Sequence, residues 1–129
     1  MSKPILSLDF DGVVHSYVSG WKGIDIIPDP PVDGAIEFLY SAIEHFNVCI
    51  YSTRSEKPEG IQAMREWLSK WESDYWKDEG YQPGTALVLC IDFPDKKPMA
   101  FVGIDDRVIT FTGKFPDMDT LKNFKPWNK

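Results

Sequence analysis

Asp9 and Asp11 are separated by one residue, follow the apolar run Ile5 to Leu8, and lead into Gly12-Val13-Val14. Carboxylates at i and i+2 point the same way for as long as a strand persists. A second acidic pair, Asp105-Asp106, follows the apolar run Phe101 to Ile104 and precedes Arg107. Between them, Ser52-Thr53-Arg54 follows Val48-Cys49-Ile50. Four carboxylates brought together repel, and a divalent cation with oxygen ligands relieves that repulsion. The chemistry such a set supports is phosphoryl transfer. Phosphate esters resist nucleophiles because both partners are anionic, and a bound metal lowers that barrier. Asp9 then suits a nucleophile that forms an aspartyl-phosphate. Asp11 suits an acid that protonates the leaving oxygen and afterwards a base that deprotonates water. Arg54 can clamp a phosphate oxygen bidentately.

These motifs demand a scaffold that brings distant segments to one edge. Ile5 to Phe10 reads as a buried strand, and Val48 to Tyr51 as a second. Val32, Ile36, Leu39 and Ile43 predict a helix over about 34–46, with Asp33 as its N-cap. This βαβ order favours parallel strands whose carboxyl ends share one ligand crevice. Ile61, Met64, Leu68, Trp71 and Tyr75 form one stripe and predict a helix over about 59–77. Gly80 ends that element, and Pro83-Gly84 marks a turn. Ala86 to Ile91 and Met99 to Ile104 are strand-like, and Val108 to Phe111 suggests a short fifth strand. The link between the first two runs is short for a parallel pair, so Ala86 to Ile91 is expected to be antiparallel or outside the core sheet. Residues 15–31 read as a long excursion and are the one candidate flap, while the tail after Lys114 reads as a surface wrap with one helical turn.

The order D-x-D-G-V, hydroxyl cluster, Lys97-Pro98 and Asp105-Asp106 resembles the haloacid dehalogenase superfamily of magnesium-dependent phosphotransferases, and does so from residue 4 to about 112. The resemblance implies a three-layer α/β/α sandwich around a mainly parallel, Rossmann-like sheet. It implies that Asp9 is the nucleophile and a direct Mg²⁺ ligand. Asp11 is then the acid/base, giving its backbone carbonyl to the metal. Ser52, with Thr53 as substitute, would contact the phosphoryl group, and Asp105 and Asp106 would complete the metal site. The short spaces between motifs match members without a large cap. The family also has a Lys that neutralises nucleophile and phosphate, often as Lys-Pro. If Met99 to Ile104 is one straight strand, it rises roughly 20 Å and leaves Lys97 at the wrong edge. Arg54 or Lys57 is therefore the expected cation. The rival from another class is a receiver-like phosphoacceptor domain, but that pattern has adjacent acids first and the acceptor later. A non-catalytic binding module is the third reading.

Composition sets the outer bounds. The chain's 129 residues favour one domain, and 43% hydrophobic with 26% charged residues is ordinary for a soluble protein. A formal net charge of -6 argues against tight sequence-independent nucleic-acid binding. No apolar run approaches the ~18 residues of a membrane span, and no signal peptide is visible. Cys49 and Cys90 lie in apolar stretches and read as two buried thiols in a reduced, cytoplasmic setting. His15 and His45 give no metal pattern; His15 lies near the presumed mouth, within reach of a leaving group or simply at the surface.

Overall fold

A short, near-continuous apolar strand such as Ile5 to Leu8 is most stable when paired on both edges and covered on its apolar side. The computed structural model, which describes residues 3–79 and 86–127, does both for β1, Ile5–Leu8. β1 lies between β2, Asn47–Ile50, and β3, Val102–Ile104, in the order β2-β1-β3. Both pairings are parallel, and their registers set Leu8 opposite Ile50 on one side and Ile104 on the other. Beyond β2, Asp92 adds a parallel bridge to Cys49. The architecture is a mixed α/β sandwich with an all-parallel, Rossmann-like sheet.

The two long helices form where the apolar periodicity requires them. α1, Ala35–His45, follows Gly34, whose φ of 82° places the N-cap one residue later than Asp33 and without a side-chain cap. α2 runs from Pro58 to Glu79. Proline suits its first turn because that N–H has no helical partner. Leu6, Leu8 and Phe10 form one buried cluster with Ile36 and Leu39 of α1 and Met64, Trp67 and Leu68 of α2. A polar bridge crosses this layer. The Tyr40 hydroxyl donates to buried Glu72, which also accepts from the Leu87 N–H at 3.1 Å. Burial, and then the Glu72 carboxylate, push the Tyr40 phenol up to about 12, so it stays a neutral donor.

The last third departs from the sequence expectation. Ala86 to Ile91 lies outside the core sheet, one of its two expected placements, but it is no strand: Leu87–Cys90 is a single helical turn, α3, anchored by Leu87 on Glu72, and Asp92 takes the sheet pairing instead. Cys90 is exposed, while Cys49 is buried; both thiols are free. β3 has three residues where six were expected, and all three are exposed. Val108 to Phe111 forms no strand and is exposed. The tail carries one exposed short helix, α4, Met118–Lys122, as expected. Gly80 and Pro83-Gly84 lie outside the described residues. Among the described residues, no helix is long and apolar enough to cross a membrane.

Candidate active site

Parallel pairing of β1 with β3 carries the two acidic motifs to one edge. The ladder continues one step past β1, where the Asp9 N–H donates to the Ile104 carbonyl at 3.0 Å. Asp105 and Asp106 follow immediately. One carboxylate oxygen from each of Asp9, Asp105 and Asp106 lies within 4.8 Å of the others. Burial, and then Asp105, push the Asp9 carboxyl up to about 7. Asp106 is raised as well, by burial first and by Asp105, with Arg107 opposing. The Asp106 Oδ1 atom is buried without a hydrogen-bond partner. Gly12, at φ 86°, makes room for this group: a Cβ there would lie 2.1 Å from Asp106 Oδ2. Crowded oxygens, an orphaned acceptor and a turn that tolerates no side chain could hold a hard divalent cation. Among the described residues the cluster consists of carboxylates alone.

Asp11 belongs to a different constellation. Its carboxylate receives both Oδ contacts from Arg54 Nε, at 3.1 and 3.2 Å, and one from His15 Nδ1 at 2.8 Å. The Asp29 N–H donates to His15 Nε2 at 3.1 Å, which makes that nitrogen the acceptor and leaves the ring proton on Nδ1, facing Asp11. His15 is therefore neither a surface residue nor a leaving-group contact. It is fully buried, stacks on Phe10 at 5.5 Å and meets Trp67 edge-on at 5.6 Å. Asp29 is in turn fixed by Ser19, through its N–H at 2.8 Å and hydroxyl at 2.6 Å.

Arg54 also departs from its expected place. It is 0% exposed, and its Nη1 donates to the Gly23 and Ile24 carbonyls at 2.7 and 2.8 Å. Its guanidinium faces Asp11 and the 15–31 excursion and does not line the cavity beside Asp9. That cavity, of about 180 Å³, is lined by Asp9, Asp11, Tyr17, Trp21, Ser52, Thr53 and Arg107. Ser52 caps the 3-10 turn Thr53–Glu56, its hydroxyl oxygen accepting from the Arg54 N–H at 3.0 Å and its proton directed at Met64 Sδ at 3.6 Å. Thr53 is exposed on the cavity wall.

A second, larger cavity of about 760 Å³ is lined by Ser7, Asp9, Tyr51, Asp105 and Lys97, among others. The length argument against Lys97 thus loses its premise. β3 is only three residues long, and Lys97 lines the same large cavity as Asp9 and Asp105 without an ion pair to either among the described residues. Lys57 is exposed at the end of the 3-10 turn. No family model, curated protein or solved structure matches this chain. Asp29, Tyr17 and Trp21 carry no pattern that marks them as site residues, and the sequence offers His15 only as a leaving-group contact or a surface residue. The available signal was the D-x-D-G-x-x-H spacing, which places an imidazole four residues after the second acid.

Proposed function

We propose that this chain is a magnesium-dependent phosphomonoester hydrolase of the haloacid dehalogenase type, working in a reducing, cytoplasmic setting through an aspartyl-phosphate. One observation carries the reading: two acids one residue apart are held in separate environments. Asp9 sits in a three-carboxylate group, whereas Asp11 is gripped by Arg54 and His15. That division suits a nucleophile and an acid/base. Asp9, Asp105 and Asp106, with the Asp11 carbonyl as the family resemblance implies, would hold the cation, which would supply charge neutralisation for Asp9 and for an anionic substrate.

The chain's own residues then do the following. An Asp9 carboxylate oxygen forms a bond to phosphorus as the ester P–O bond breaks. Asp11 would give the leaving oxygen a proton from Oδ2, the oxygen that His15 does not contact. In the second half Asp11 accepts a proton from water, whose oxygen attacks phosphorus and releases inorganic phosphate, restoring the Asp9 carboxylate. Thr53 offers a hydroxyl to the phosphoryl group, because Ser52 is committed to Arg54 and Met64. Arg107 and Lys97 bring positive charge to the two cavities that meet at Asp9.

Steady Mg²⁺-dependent hydrolysis of a generic aryl phosphate is the test. A receiver-like domain would label once and stop, and a binding module would do neither. Asp9→Asn should abolish covalent labelling, while Asp11→Asn should still label with a good leaving group and dephosphorylate slowly. Phosphate trapped on any other residue overturns the scheme.

A further inference from the structure

The cavity beside Asp9 has more wall than phosphoryl transfer needs. Its acids, hydroxyls and Arg107 account for an anionic centre, but Tyr17 and Trp21 complete it with two aromatic side chains. Trp21 is 47% exposed, so one part of its ring is open to the cavity it lines. It is also held in place. The Arg54 guanidinium carbon lies 4.6 Å from the ring centroid. Arg54 is itself fixed by Asp11 and by the Gly23 and Ile24 carbonyls. The indole is thus backed by a buried cation whose position is tied to Asp11. Tyr17 is the only non-glycine residue with positive φ among the described residues, at 61°. That backbone costs energy, and such residues collect at ligand sites. Here the Gly20 N–H donates to the Tyr17 carbonyl at 3.2 Å, and Ser19 is clamped on Asp29.

We infer that Tyr17 and Trp21 form a stacking subsite for a flat aromatic ring carried by the leaving group of the phosphomonoester. The inference rests on the phosphatase reading and adds the substrate class. Two sources share that chemistry, a nucleoside monophosphate and an aryl phosphate. The cavity's 180 Å³ is below the roughly 300 Å³ at which pockets enclose a whole ligand. The substrate is therefore gripped at its phosphoryl end and on one ring face, with its remainder in solvent.

Calorimetric binding to Asp9→Asn in Mg²⁺ buffer tests this, because that variant does not turn over. The ligands are adenosine 5′-monophosphate, phenyl phosphate and ribose 5-phosphate. At least one ring-bearing ligand should bind tenfold or more tightly than ribose 5-phosphate. The tighter of the two identifies the source. Adding Trp21→Leu should remove that preference without changing ribose 5-phosphate binding, and Trp21→Phe should retain it. Equal affinity for all three ligands, or a Trp21→Leu loss shared by all three, overturns the subsite even if the wild type proves an active phosphatase. A ring preference that depends on Trp21 in a protein that hydrolyses nothing would instead retain the subsite and reject the phosphatase.

Discussion

Asp9 and His15 show how single side chains are set by their neighbours. The folded Asp9 carboxyl is pushed up to about 7 by burial and then by Asp105, from an ordinary 3.8. A raised carboxyl pKa means that the folded state holds its proton more tightly than the unfolded state. In the metal-free protein this group's contribution is therefore most favourable below pH 3.8 and is lost as pH rises towards about 7. At pH 8 in chelator, Asp9→Asn should consequently melt a few degrees above wild type, and near pH 4 that gap should close. A variant less stable than wild type at pH 8 would show that Asp9 is not under net repulsion. His15 acts at one remove, by donating Nδ1–H to Asp11. We predict that His15→Ala lowers kcat by up to about 100-fold, the scale of a misplaced catalytic group. The loss should be larger for alkyl phosphates, which need the acid, than for aryl phosphates with good leaving groups. His15→Asn, which keeps an N–H donor, should recover part of it. Equal losses across leaving groups would reduce His15 to a packing residue.

At the scale of elements, β1, α1, β2 and α2 were legible in the sequence because their patterns are dictated by burial on one face. The 61–75 stripe predicts α2 to within a few residues at either end. The pairing of the first and last acidic motifs was legible too, since both follow apolar runs that end at one sheet edge. What could not be read came from contacts between segments. Leu87 to Cys90 looks like a strand, but the Glu72 carboxylate holds its first N–H and makes a helical turn of it. His15 carries no periodic signal, because its partners Asp11 and Asp29 are local and polar. Gly60 is another silent position. A Cβ there would lie 2.0 Å from the Arg54 carbonyl oxygen, at the joint between the 3-10 turn and α2. Gly60→Ala should therefore destabilise the protein by about 1–3 kcal/mol, an overpacking cost, although alanine is the better helix former. Urea unfolding measures it, and a stabilised variant would mean that the joint yields freely.

Across the whole molecule, order is unevenly distributed. The cluster formed by β1, β2, α1 and α2 is buried, whereas Met99, Phe101, Val108, Phe111 and Phe115 are all exposed. β3 contributes three exposed residues and pairs with β1 alone. Regions with few buried apolar contacts open at lower free energy than the core. Amide exchange in the metal-free protein should therefore be faster over 102–104 than over β1 and β2. Uniform protection across the three strands would contradict this.

The tail's contact with the first motif gives that unevenness a direction. Trp127 Nε1 donates to the Gly12 carbonyl at 2.7 Å, and Asp106 packs against the same glycine. Two of the three clustered carboxylates thus ride on the least buried part of the chain, and the third sits on the most buried. An ion shared among them would work as a clasp, fastening the outer third to the inner two. Its binding energy would appear as order in that outer third, by mass action. Limited proteolysis should then cut within 97–127 readily in chelator and slowly in Mg²⁺, and Asp105→Asn should lose the difference. Identical cleavage with and without Mg²⁺ would mean that no shared ion fastens the two parts together.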